Sequence, residues 1–182
     1  STGANTYAAS GFFIDNQSPT DLDATGSTFV GATDNFRIED KIHHKMDIDI
    51  ASSAGLVTWV TDEVFVTNAG TDRYIQLGVN AVADGGKVNV EAGTYVEQVV
   101  VDGKALVIAG AGQGVTTVQS PATLVTTFTT NYGNSKPVIT FMNTDAGDIN
   151  NLTIDGLGLG NANGRFFGLA YRNAGGTVDQ VT

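Results

Sequence analysis

The chain has 182 residues, no cysteine, and nine Lys plus Arg against nineteen Asp plus Glu, for a formal charge of −10. Those totals allow one domain, or one with an appendage. They exclude a disulfide framework and thiol chemistry, and they argue against partners that need many basic side chains, namely nucleic acid and anionic lipid surfaces. Twenty-three glycines alongside plentiful Val, Thr, Asn and Asp favour a mainly β chain full of turns, and no apolar run approaches the length of a membrane span.

In chain order, Phe12 to Ile14 and Phe29-Val30 read as strand pieces separated by a turn at Asn16 to Thr20. Residues 33 to 50 carry a helical pattern: Ile38, Ile42 and Met46 recur at four-residue spacing. Asp34 can cap that helix, and His43, His44 and Lys45 sit near its end, where cations suit the dipole. Leu56 to Val60 and Val64 to Thr67, split by Thr61-Asp62-Glu63, read as a hairpin. Thr71 to Ala83 reads as a second helix, with Ile75, Val79 and Val82 on one face, Thr71 as cap and Gly85-Gly86 as stop.

The stretch from Gly85 to Ser120 organises the rest. Val88 to Val90, Val99 to Val101, Leu106 to Ile108 and Thr116 to Val118 are too short for helices and rich in β-branched residues, so they read as strands. The links between them are glycine-bearing, and only Asp102-Gly103 suggests a two-residue hairpin. The strands therefore form either a meander or a coil that advances one strand at a time. A Thr-rich excursion follows Pro121, and then Val138 to Met142, Ile149 to Ile154, Phe166 to Tyr171 and Val178 to Thr182 read as further strands. Ile149-Asn150-Asn151-Leu152-Thr153 matches Val178-Asp179-Gln180-Val181-Thr182 at an offset of 29. That spacing suits one turn of a coil with an inserted loop at Leu157 to Arg165.

Asn89, Ala92, Gly93, Thr94, Tyr95, Glu97, Leu106, Gly110, Ala111 and Gly112 stand in phrases that resemble the opening rungs of the pectin-lyase-like group of right-handed parallel β-helix proteins. The resemblance implies a mainly all-β chain, with short capping helices and a small N-terminal α/β linker region. The phrase Asp21 to Gly31 resembles one that closes a β-helix in large secreted bacterial surface proteins. On that basis residues 1–32 are expected to close a preceding segment, 33–84 to form a linker and cap, and 85–182 to form the rungs. The expected role is a structural, adhesive segment at the cell surface. It would stack end to end with its own copies or with neighbouring segments, as a piece cut from a longer chain. The alternative the resemblance implies is a polysaccharide-binding or polysaccharide-cleaving module.

Candidate chemistry is sparse. Asn143-Thr144-Asp145 resembles one polygalacturonase motif, but the paired Asp, the Gly-His-Gly and the Arg-Ile-Lys of that family have no counterpart here. Gly93 to Glu97 and Gly176 to Asp179 resemble pectin methylesterase phrases. That likeness would make Asp179 a nucleophile and Arg172 an anchor, without the second catalytic Asp. Asp145, Asp148 and Asp155 with Arg165 or Arg172 are residue types a Ca²⁺-dependent lyase would need, but Asp148 lies just before a strand and Asp155 just after it, which sets their carboxylates far apart. The doublets Asp21/Asp23 and Asp47/Asp49 are better Ca²⁺ candidates, since i and i+2 face one way on a strand, although a solvated edge is the ordinary fate of such pairs. No catalytic residue and no cofactor are assigned. His43 and His44, about 100° apart on a helix, would not chelate together and read as surface residues. Trp59, Tyr95, Tyr132 and Tyr171 are the rings that could stack on sugars. Gly110 to Gly114 lies between strands, so it lacks the helix a phosphate loop needs.

Overall fold

The computed structural model of the chain describes residues 4–69 and 73–182. It is mainly β, and the strands pair almost throughout in parallel. The first half holds β1 (Thr6–Tyr7), β2 (Ile14–Asp15), β3 (Leu22–Asp23), β4 (Thr28–Phe29), α1 (Asn35–Glu39), β5 (Ile42–His43), β6 (Val57–Thr58), β7 (Glu63–Val66) and α2 (Ile75–Ala81). The second half holds β8 (Gly86–Val90), β9 (Gly93–Val96), β10 (Val99–Asp102), β11 (Leu106–Ala109), β12 (Thr116–Gln119), β13 (Phe128–Thr130), β14 (Gly133–Met142), β15 (Gly147–Asp155), β16 (Phe166–Arg172) and β17 (Val178–Val181).

In the N-terminal part β1 pairs with β4, β2 with β5 and β3 with β6, all in parallel. Each of the first three strands lies beside the strand three places on. Phe13, Ala24, Phe29, Ile42 and Val57 are buried between them, with Tyr7, Ile14 and Trp59 packed against that cluster. Two expectations are corrected. The helix stops at Glu39, and Ile42–His43 is a strand, because Ile14–Asp15 supplies a backbone partner 28 residues upstream. The hairpin after Leu56 does not form: Val57–Thr58 pairs with Leu22–Asp23, and Glu63–Val66 pairs with β8. Asp34 does cap α1, its carboxylate accepting from the Arg37 N–H at 2.9 Å.

From β7 onward the strands form a curled parallel sheet with three ladders. The first runs β7-β8-β11-β15-β17, the second β9-β12-β15, and the third β10-β14-β16. Register places Val64, Val88, Ile108, Ile149 and Val178 directly opposite one another. On the third ladder Val99, Ile139 and Leu169 align, as do Val101, Phe141 and Tyr171. The alternating pattern read from the sequence therefore buries one face of β7 to β12, β14 and β15 in a single cluster. Each fully buried Val, Ile or Phe contributes about 1.5–3 kcal/mol.

Strand β15 serves two ladders because the chain turns a corner at Asn151, whose φ is +56°, and Gln180 repeats that conformation at +49°. The offset of 29 is this register, with Ile149 opposite Val178 and Leu152 opposite Val181. A second corner falls at Asn143 and Asn173, both with positive φ. There Asn173 donates to Asn143, and Asn143 donates to Asp102, at 3.0 and 2.7 Å. Asn tolerates this left-handed backbone because its short polar side chain bonds locally. Asp102-Gly103 is a corner of the same kind rather than a hairpin, since Gly103 donates to the carbonyl of Met142. The one antiparallel pair among the described residues joins β13 to the start of β14, inside the Thr-rich excursion.

Helix α2 packs Ile75 and Val79 into the core beside Val82. The cap expected at Thr71 lies outside the described residues. The first N–H groups of the helix are instead received by Glu97, from the link between β9 and β10: Ile75 donates at 2.7 Å and Gln76 at 3.0 Å. Lys104 closes the other end by donating to the carbonyls of Val79 and Val82 at 2.9 and 2.7 Å. The Gln76 amide pairs with both backbone groups of Val100, at 2.7 and 3.0 Å. A side chain thus fills the place a strand would take beside β10.

Candidate functional site

The feature with the greatest reach is the open side of the curled sheet. Among the described residues strand β17 pairs only with β15, and β16 only with β14. The inward row that is fully buried at Val88, Ile108 and Ile149 ends on Val178, which is 50% exposed. Leu169 and Tyr171 are likewise only partly buried, where their partners Ile139 and Phe141 are wholly so. Among the described residues the far edges of β16 and β17 therefore carry no strand, and the row beside them is half covered.

The carboxylates singled out in the sequence turn to different partners. Asp21 accepts from the Leu56 N–H at 2.7 Å, and Asp23 accepts from the Thr25 N–H and hydroxyl at 2.9 and 2.6 Å. Both line a shallow cleft with Thr58, Thr61 and Asp62. Asp47 and Asp49 lie in a turn and not on a strand, so the i, i+2 argument does not apply to them. Asp47 accepts from the His44 N–H at 2.6 Å, while Asp49 meets the His43 ring at 3.3 Å. Among the described residues no three His, Asp or Glu side chains converge as a metal set.

The histidines differ from their expected surface role. His44 is buried: its Nδ1 accepts from the Val57 N–H at 2.9 Å, so Nε2 carries the proton and donates to Glu39 Oε1 at 3.0 Å. His43 sits between Asp15 and Asp49. Partial burial opposes its charge, but hydrogen bonds to those two carboxylates raise its pKa overall. Burial pushes the Glu39 carboxyl up, and burial pushes Asp47 up to about 6. Glu39 and Asp47 line a cavity of about 340 Å³ together with Asp40 and the apolar side chains of Phe12, Ile42, Met46 and Phe65. Sequence reading missed this cluster. Its one signal was the density of acidic residues flanking the histidine pair.

The remaining candidates are dispersed. Asn143 occupies a corner with its amide engaged by Asp102, and Asp148 accepts from the Thr177 N–H at 2.6 Å. Asp155, at the far end of β15, accepts from Leu157. Asp179 lies on β17, while the Arg172 guanidinium on β16 sits over the Phe128 ring. Arg165 donates to Ser135 and packs over Phe167. Of the rings expected for sugar stacking, Tyr95 is buried, Tyr171 stacks on Phe141, and Trp59 lies between Phe29 and Phe65 and donates to Asn35. Tyr132 is exposed. Gly110 makes a tight approach to the neighbouring strand: a Cβ there would lie 2.3 Å from the Asn151 carbonyl oxygen, which accounts for that glycine without any ligand. No protein-family model matches this chain, and no curated protein does.

Proposed function

We propose that the chain is a structural segment of an extracellular bacterial surface or matrix protein, and that it extends by stacking parallel strands onto the open edges of β16 and β17. In this reading the curled sheet is a stretch of right-handed parallel β-helix of the pectin-lyase-like kind, and its corners and inward rows repeat in further turns. The supporting observation is the aligned row Val64, Val88, Ile108, Ile149 and Val178, which stays buried until its last member. Covering that row removes apolar surface from water and pairs idle backbone groups, and a head-to-tail contact of this type builds an open filament rather than a closed ring. Light scattering across a concentration series tests it. The purified chain is expected to grow in mass with concentration, and Val178→Lys, which puts a charge on the stacking face, to suppress that growth. A monodisperse monomer at high concentration refutes stacking between copies.

A second reading, a polysaccharide-binding module, is favoured by one groove. Lys87, Asn89, Asn150 and Asn151 line a depression of about 410 Å³ beside Phe36. Amide side chains next to an aromatic ring suit sugar hydroxyls and sugar faces. Titration with acidic polysaccharides, with and without Ca²⁺, separates the two readings.

A further inference from the structure

We propose that the cavity bounded by Phe12, Glu39, Ile42, Met46, Asp47 and Phe65 is a binding site for a primary ammonium on a short alkyl chain, whether a lysine side chain or a free alkylamine.

The argument starts from an unmet bond. The Glu39 side chain is 10% exposed, its Oε1 is engaged by His44, and its Oε2 is buried with no hydrogen-bond partner. A buried acceptor left without a partner keeps its desolvation cost unmet, so a donor brought to it gains more than an ordinary surface bond. Asp47 stands on the same cavity, and the charge of Glu39 is one of the influences that raises its pKa. Burial is the main cause that raises both carboxyls, and the neighbouring histidines offset it only in part.

The cations nearby are committed elsewhere. Arg37 is shared among Asp34, Asp40 and Glu91. His43 serves Asp15 and Asp49. His44 has both ring nitrogens engaged, one by the Val57 N–H and the other by Glu39 Oε1. The charges facing the cavity are thus carboxyls, with Asp40 already paired to Arg37.

The remaining walls choose the kind of cation. Phe12, Ile42, Met46 and Phe65 are apolar and cannot ligate a hard divalent ion, which wants six to eight oxygens. They do suit an alkyl stem, and an aromatic ring attracts the ammonium head. A volume of about 340 Å³ falls at the small end of ligand pockets. An ammonium that enters requires ionised carboxyls. Below the pKa of Asp47 its arrival must therefore release a proton to the solvent.

The chain has two methionines, Met46 in the cavity wall and Met142 on β14, so ¹³C-methyl methionine NMR gives a site probe and an internal control. With n-butylammonium the Met46 signal is expected to move saturably while Met142 stays. 1-Butanol, of matching shape without the charge, is expected to bind at least about tenfold more weakly. Calorimetry at pH 5.5 in buffers of different ionisation enthalpy is expected to show proton release. Glu39→Gln is expected to weaken binding by at least about tenfold; should that variant not fold, Asp47→Asn reads the same loss. Tighter binding of N-acetyl-lysine methylamide than of butylammonium assigns the site to a protein-borne lysine, and the reverse order assigns it to a free amine. A still Met46 signal, or butanol binding as well as the amine, overturns the proposal.

Discussion

Glu97→Gln is the substitution that most directly weighs burial against hydrogen bonding in this fold. Glu97 is 8% exposed and receives the N–H groups of Ile75 and Gln76. Burial pushes its pKa up, the two backbone hydrogen bonds pull it down, and burial prevails, placing it at about 7 against an ordinary 4.5. The folded state then binds a proton more tightly than the unfolded chain. Stability is full below the unfolded value and falls as pH rises from about 4.5 to about 7. At 1.36 kcal/mol per pKa unit, the full loss attributable to this one group is about 3 kcal/mol, most of it between pH 5 and pH 8. Asp47 and Glu39 are raised by burial and His43 is raised by its carboxylates, so all three tilt the profile in the same direction. The informative quantity is therefore the difference between wild type and Glu97→Gln. Gln keeps one acceptor for the helix and cannot ionise, so its urea midpoint, followed by far-UV circular dichroism, is expected to fall less between pH 5 and pH 8. The difference in slope should amount to about 2–3 kcal/mol. Equal slopes would falsify the idea that a buried Glu97 titrates here, and a wild type that gains stability with rising pH would mean the two N–H bonds outweigh burial.

Position along the inward row should set the cost of truncation. Ile108→Ala, at a wholly buried site, is expected to lose about 2–5 kcal/mol in chemical denaturation, and Val178→Ala, half exposed in the same row, less than about 1 kcal/mol. At the corner, Asn143→Ala is expected to lose about 1–2 kcal/mol, since Ala resists a φ of +53° and cannot bridge Asp102 and Asn173; Asn143→Gly should restore only the backbone share. A Cβ at Gly176 would sit 1.9 Å from the Gly147 carbonyl oxygen. Gly176→Ala is therefore expected to detach β17, visible as faster amide exchange at Ile149 and Val178 to Val181 while β8 and β11 remain protected.

Much of the second half was legible because its determinants are local. Short β-branched runs cut by glycine can only be strands, and a repeated phrase at an offset of 29 fixes which strand lies beside which once the chain coils. Asp34 capped its helix as expected because a cap acts over three residues. The misreadings share the opposite property. Ile38, Ile42 and Met46 recur at helical spacing, yet what decides the state of Ile42 is the backbone of Ile14, far upstream. The pattern of apolar residues says that a side chain is buried and leaves open whether a helix or a ladder buries it.

The same limit applies to the polar groups. Composition and pattern by themselves determined that this is an acidic, glycine-punctuated chain of short strands, with a helix burying Ile75 and Val79. Only the tertiary arrangement decided that Glu97 and Lys104 would hold that helix at its two ends, and that His44 would be buried against Glu39. It also decided that the aspartate doublets would turn to separate partners. Hydrophobic burial needs only periodicity, which a sequence displays. A hydrogen bond or a charge pair needs two groups within about 3 Å, and for residues tens of positions apart that distance exists only once the chain has wound.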